Sequence, residues 1–237
     1  MSIFQFKHFS ILQKDSAMKI GTDAMILGAL VSVEAKTTVL DIGTGTGVLS
    51  LMLAQKNKNM HISAIEIDEK ASFEAKFNVE NSTYKNQIDV IFSDFLEYDF
   101  SGKFDLIVTN PPFFENSLKS SGKFKSEQTN LARHTDSLPF ERLIKKVSDL
   151  LNEEGDFWII LPHVAAAKLI VIAHKQDLFL IEEIAVYGKP NILIRKILRF
   201  SKNSIKHVTT SLLIRENNSD YSDEYKSLTF DFHNRKL

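Results

Sequence analysis

The sequence predicts an α/β fold: a doubly wound, mainly parallel sheet with an antiparallel hairpin edge and a short N-terminal extension. Three observations carry that prediction. Strand-like apolar runs alternate with helical ones from Thr38 to His174, the pattern of a parallel sheet covered on both faces. A glycine-rich turn, Gly43-Thr44-Gly45-Thr46-Gly47, falls where the first of these strands gives way to a helix. Beyond Leu178 the pattern changes to β-rich stretches without long helices between them.

The elements follow in order. Phe4 to Phe9 alternates with period two and reads as a short strand or hairpin arm. Asp23 to Val33 reads as a helix, with Thr22 or Asp23 as its N-cap. Thr38 to Ile42 is the first core strand and Val48 to Gln55 a helix. His61 to Ile65 is the second strand. Asp68 to Asn81 is an amphipathic helix capped by Asp68, with acids in its first turn. Ile88 to Phe92 and Phe104 to Thr109 are the third and fourth strands. Ser137 to Leu151 is a helix ending before Gly155, Phe157 to Leu161 a fifth strand, and Val164 to His174 a helix. Leu178 to Tyr187, Leu193 to Phe200 and Val208 to Arg215 make the β-rich end. Residues 1–237 are expected to form a single domain, with residues 1–36 an arm and helix packed on it.

Composition bounds the function. The chain is 43% hydrophobic and 25% charged, ordinary soluble globular material with enough length to bury a core. It has no cysteine, which excludes disulfides, thiolate metal sites and a cysteine nucleophile. The seven histidines lack metal-ligand spacing, so no metal is expected. No apolar run approaches the roughly 20 residues of a membrane span, and Met1 to Lys7 lacks a signal-peptide core, so a cytoplasmic protein is expected. Net charge is −1, so any nucleic-acid contact must rest on local positive charge. Acids concentrate in the first half. Bases are frequent later, among them Lys145, Lys146, Lys189, Arg195, Lys196, Arg199 and Lys202. A basic patch there competes with solvated faces and sheet rims.

Three successive strand ends carry a ligand-binding pattern. Glycines let backbone approach a ligand that a Cβ would block. The spacing at Gly43, Gly45 and Gly47 is Gly-x-Gly-x-Gly, distinct from the Gly-x-Gly-x-x-Gly of dinucleotide folds, which argues against NAD. Glu66 ends the second strand about 20 residues on, where a carboxylate accepts from both hydroxyls of a ribose. Asp68 competes for that role but reads as a helix cap. Asp94 follows the third strand, placed to accept from an adenine amine, and Phe95 offers a backbone N–H to the ring. Read alone, Asp94 serves equally as a turn former. Asp41 lies just before the glycines, to orient the turn or reach a ligand ammonium. Together these residues form an adenosine-binding constellation.

The fourth strand runs into Asn110-Pro111-Pro112-Phe113. An Asn side-chain oxygen and the Pro111 carbonyl can each accept one N–H of a planar exocyclic amine, and Phe113 offers a ring for stacking. The polar stretch from Glu115 to Thr129 is long for a connection and reads as a functional loop.

With these motifs in place, Asp41 to Gly47 resembles motif I of class I S-adenosylmethionine-dependent methyltransferases. Asn110-Pro111-Pro112-Phe113 resembles the (Asn/Asp)-Pro-Pro-aromatic motif of amino-group methyltransferases. Lys19 to Ala24 with Leu27-Gly28-Ala29, Asn110 to Phe114, Ala132 to Thr135 with Leu138, Lys189-Pro190, and Leu228 to Phe232 extend the resemblance across nearly the whole chain, to bacterial tRNA adenine-N6 methyltransferases that modify valine tRNA beside its anticodon. The resemblance implies a Rossmann-like seven-stranded methyltransferase sheet, S-adenosylmethionine as donor with S-adenosylhomocysteine as product, and tRNA as partner. It assigns Asn110, Pro111 and Phe113 to the acceptor amine, and puts Thr22 near the donor's methionine end, where a plain N-cap is the competing reading. Lys119, Lys123, Lys125, Arg133 and His134 are the candidates for RNA contact. A monomer is expected, with a dimer as alternative. A protein-glutamine or ribosomal RNA methyltransferase with the same motif, and a binder retaining only the fold, are the competing readings. Phe113, lacking a hydroxyl, favours a base over an amide.

Overall fold

The structure, a computed structural model, describes residues 3–14, 20–111 and 140–234. A hairpin comes first, β1 (Ile3–Gln5) paired antiparallel with β2 (Ser10–Leu12). Then follow α1 (Thr22–Leu30), β3 (Thr38–Ile42), α2 (Val48–Lys56), β4 (His61–Glu66), α3 (Glu69–Glu80), β5 (Ile88–Phe92) and β6 (Phe104–Thr109). After residue 140 come α4 (Phe140–Leu150), β7 (Leu151–Leu161), α5 (His163–His174), β8 (Phe179–Lys189), β9 (Ile192–Ser201), β10 (Val208–Leu213) and α6 (Asp223–Thr229).

The main sheet has the order β10-β8-β9-β7-β6-β3-β4-β5. The chain leaves β3 toward β4 and β5, then returns to place β6 on the other side of β3. That reversal opens a crevice at the carboxyl ends of β3 and β6, the place where open α/β sheets bind ligands. Central strands are apolar on both faces because helices cover both: Val39, Leu40, Leu106, Ile107, Val108 and Phe157 are all buried. One core joins the arm, α1, α2 and α6 to one face of the sheet. The other joins α4 and α5 to the opposite face.

Two expectations are corrected. The sheet has eight strands where seven were expected. The β8–β9 hairpin is present, but β10 pairs parallel to β8, from Val208 beside Glu182 to Leu213 beside Tyr187, and becomes the edge. Thr22 and Asp23 do not cap α1. Gly21 is the N-cap residue and Thr22 the first helical one. Asp23 instead meets Arg195 on β9 at 2.7 Å, an ion pair across 172 residues of sequence that a local capping rule does not anticipate. Asp68 does cap α3, its carboxylate accepting from Ala71 N–H at 2.8 Å.

At the opposite end of the sheet, Asp105 sets the register of the central strands. Its Oδ2 accepts from Thr37 N–H (3.0 Å), Thr37 Oγ1 (2.8 Å) and Thr38 N–H (3.1 Å), and its Oδ1 from Asn152 Nδ2 (2.8 Å). Burial pushes this carboxyl up, but the donated hydrogen bonds outweigh it and hold the group below the usual carboxylate range. A depressed native pKa gives stability that is full above the ordinary aspartate range and is lost as pH falls below it. Asp105→Ala should therefore cost about 1–3 kcal/mol in urea unfolding at pH 7. The gap from wild type should narrow below about pH 4.

Candidate active site

The glycine-rich turn starts where β3 ends and is held by buried side chains rather than by its own. Gly43, Gly45 and Gly47 have φ of +68°, +58° and +80°, a region L side chains rarely adopt. A Cβ at Gly43 or Gly45 would meet nothing within 4 Å, so the turn faces open space at the crevice. Gly43 and Thr44 N–H both donate to Ile65 O, at 2.9 and 3.1 Å, which ties the turn to the end of β4. Gly47 N–H donates to Thr44 O at 2.9 Å and α2 begins.

Two carboxylates fix this turn. Asp41 is 1% exposed and its Oδ2 accepts from Thr44 Oγ1 (2.6 Å) and Ser50 Oγ (2.7 Å). Its Oδ1 is buried without a hydrogen-bond partner among the described residues. Burial pushes Asp41 up to about 6, against the lowering effect of the two hydroxyls. Glu66 closes the other side: Oε2 accepts from Gly45 N–H at 2.8 Å and Oε1 from Asp68 N–H at 2.9 Å. Burial also raises Glu66, partly offset by these backbone donors. Each oxygen retains a second lone pair for a ligand hydroxyl.

The neighbouring strand ends are laced to the same rim. Ser93 N–H donates to Glu66 O at 3.0 Å and brings the β5 end beside β4. Asp94 Oδ1 accepts from Leu96 N–H at 2.8 Å, so one oxygen does form a turn, while Oδ2 lies outside that bond. Phe95 is buried, its ring 6.1 Å from that of Phe100. Lys146 on α4 holds this segment: Nζ donates to Leu96 O (3.0 Å) and Tyr98 O (2.6 Å) and sits 5.3 Å from the Phe95 ring centroid. On the other side, Thr109 Oγ1 donates to Ile42 O at 2.8 Å and joins the ends of β6 and β3. Asn110 therefore follows β6 directly beside the start of the glycine turn. Its Oδ1 is buried without a partner among the described residues.

Thus Asp41, Gly43, Gly45, Gly47, Glu66, Asp94, Phe95, Asn110 and Pro111 stand at the carboxyl ends of four adjacent parallel strands. Thr22 is exposed at the first turn of α1, and no hydrogen bond among the described residues joins it to the glycine turn. Phe113, Lys119, Lys123, Lys125, Arg133 and His134 lie outside the described residues. Several later bases serve the sheet instead of forming a patch. Lys196 pairs with Glu183 (2.6 Å), Arg199 with Asp156 (3.0 Å), Lys202 with Glu153 (3.1 Å) and Lys145 with Asp149 (3.2 Å). Among the described residues no three His, Asp or Glu side chains gather as a metal site requires. Thr44, Ser50 and Thr109 were given no separate role from the sequence, and Lys146 was read only as one of the later bases. Only Thr44 and Ser50, three and nine residues from Asp41, offered a local signal.

An adenosine-bearing methyl donor fits these residues. The turn leaves open space where a Cβ would stand, and a buried carboxylate oxygen lacks a donor. Comparison with known proteins agrees. The methyltransferase small domain family matches residues 15–175. A Bacteroides thetaiotaomicron protein named tRNA1(Val) (adenine(37)-N6)-methyltransferase is 41% identical over 232 residues, 97% of this chain and 96% of that one. A Flavobacterium psychrophilum protein of the same name is 37% identical over 98% of this chain and 99% of its own. Among solved structures, a predicted O-methyltransferase from Agrobacterium tumefaciens superposes with a TM-score of 0.69 at 17% identity, covering 89% of this chain and 96% of that one. Precorrin-6y C5,15-methyltransferase from Geobacter metallireducens does so with a TM-score of 0.54 at 14% identity, over 81% and 93%. Those two likenesses concern the fold alone, whereas the sequence match extends end to end, and the chain belongs to the tRNA1(Val) (adenine(37)-N6)-methyltransferase family.

Proposed function

We propose that this protein methylates N6 of an adenine in tRNA, the position-37 adenine of tRNA1(Val) that its relatives' name specifies. The observation that carries the reading is Asn110 Oδ1, a buried acceptor at the switch point without a partner among the described residues, one strand from the glycine turn. S-adenosylmethionine, when bound, supplies a methyl group on a sulfonium, an activated leaving group that departs as S-adenosylhomocysteine.

This chain's residues do the holding. Gly43, Gly45 and Gly47 leave room for the donor, Glu66 accepts from its ribose hydroxyls, and Asp94 with the Phe95 N–H reads its adenine. Asp41 is assigned to the donor's ammonium, and Thr22 to the same methionine end. For the acceptor, Asn110 Oδ1 and the Pro111 carbonyl accept the two N6 hydrogens. An adenine amine is a weak nucleophile because its lone pair is delocalised into the ring. Two acceptors favour its pyramidal form and direct the lone pair toward the methyl group, so positioning supplies much of the rate. The proton leaves N6 after transfer. Phe113 stacks on the flipped base, worth about 1–3 kcal/mol against the cost of extruding it. Lys119, Lys123, Lys125, Arg133 and His134 remain the candidates for phosphate contact. Such a substrate supports a cytoplasmic location. No described helix is long and apolar enough to cross a membrane.

The test is incubation with methyl-labelled donor and tRNA from a strain lacking the gene, followed by digestion to nucleosides. Label in N6-methyladenosine is expected. Label confined to protein would refute the reading.

Asp41 makes the donor site pH-sensitive. Its native pKa is raised, so its contribution to folding stability is full below the ordinary aspartate range and declines as pH rises through about 6. Donor binding has the opposite sign, because the ionised form attracts the ammonium. Affinity for S-adenosylhomocysteine, measured by calorimetry, should rise as pH passes upward through about 6. Asp41→Asn should flatten that profile. A wild-type profile already flat there would remove Asp41 from the donor site.

A further inference from the structure

Asn78, near the end of α3, belongs to neither the motif nor the rim, yet it is 2% exposed and fully hydrogen-bonded. Its Oδ1 accepts from Leu12 N–H at 2.7 Å, and its Nδ2 donates to Leu12 O at 2.9 Å. The amide thus pairs with the outward side of β2 as a neighbouring strand would. The second Nδ2 hydrogen goes to Thr46 O, inside the glycine turn, at 2.9 Å. One side chain therefore joins three segments: the N-terminal arm, α3 and the turn.

The fit has a geometric basis. Glu74, one turn earlier on α3, accepts from Lys14 N–H at 2.6 Å. Residues four apart on a helix are about 6 Å apart along its axis. Residues two apart on a strand are about 6.6 Å apart. Glu74 and Asn78 can therefore grip Lys14 and Leu12 in register. The arm is seated by its own apolar residues, since Phe6, Phe9 and Ile11 are buried. Asn78 is not needed to hold the arm down. Its distinct contribution is the bond to Thr46 O, a carbonyl in a turn of three left-handed glycines that has few ways to hold its own shape.

We propose that Asn78 is a positioning residue that couples the N-terminal arm to the glycine-rich turn, so that arm docking and methyl-donor binding stabilise one another. This rests on the reading that the donor sits on that turn. The coupling is reciprocal: if the docked arm tightens the donor site, a bound donor must tighten the arm by the same factor.

The experiment compares wild type with Asn78→Ala and with Val79→Ala. Val79 is a buried neighbour on α3 whose truncation destabilises the helix packing without touching the turn. Calorimetry with S-adenosylhomocysteine should show affinity lowered on the order of tenfold in Asn78→Ala, well below its melting temperature, and unchanged in Val79→Ala. The KM for tRNA and kcat at saturating donor should stay near wild type. Hydrogen exchange adds a readout that lost stability alone does not move. S-adenosylhomocysteine should slow exchange of the Leu12 and Lys14 amides in wild type and not in Asn78→Ala. Equal donor affinity in all three proteins, or equal losses in both variants, would overturn the proposal. If wild type itself fails to bind S-adenosylhomocysteine, the donor reading falls instead.

Discussion

The Glu66 carboxylate accepts from Gly45 N–H at 2.8 Å, and the site depends on that bond and its neighbours. A turn with three residues at positive φ is entropically expensive to order, and glycine offers no side chain to order it. Here the order comes from outside. Asp41 fixes Thr44 and the start of α2, Glu66 fixes the middle of the turn, and Asn78 fixes Thr46. The sheet fixes all three, because β3, β4 and β6 are locked in register at their far end by Asp105 and its neighbours.

That arrangement has a cost. Two buried carboxylates with raised pKa lie close together, and the charge of Glu66 adds to the rise at Asp41. Replacing them with apolar groups would relieve desolvation but release the turn. Left-handed glycines and two buried oxygens without a partner among the described residues gather at the same rim, as expected where a site is preorganised for a ligand instead of for stability. The same geometry divides labour. On the proposed reading the β3, β4 and β5 ends serve the donor and the β6 end the acceptor, and the Thr109–Ile42 bond joins the two sides.

How much of this was legible in the sequence follows from distance along the chain. Gly43 to Gly47, the Asp68 cap and Asn110 after an apolar strand are local patterns, and each stands where the pattern put it. Glu66 stands at the end of β4, where the pattern put it, but its bonds to Gly45 and Asp68 N–H were not read from the sequence. Asp94 was ambiguous for a physical reason: one oxygen forms the turn while the other remains available. What could not be read is nonlocal. Asn78 meets Thr46 from 32 residues away, Lys146 meets Leu96 from 50, and Asp23 meets Arg195 from 172. For the late bases a basic patch and a sheet rim competed, because composition does not reveal that Lys196 and Arg199 face acids on adjacent strands. Val208 to Leu213 was read as β, but the seven strands that the resemblance implied left no place for it, and its parallel pairing with β8 as a mostly exposed edge has no local signature.

The central claim is that Asn110 holds the acceptor amine and not the donor. Asn110→Ala, with kcat for tRNA methylation and the dissociation constant for S-adenosylhomocysteine measured separately, tests it most directly. The account predicts a kcat lower by about 10²–10³-fold with donor affinity nearly unchanged. A collapse of donor affinity with kcat preserved at saturating donor would contradict it.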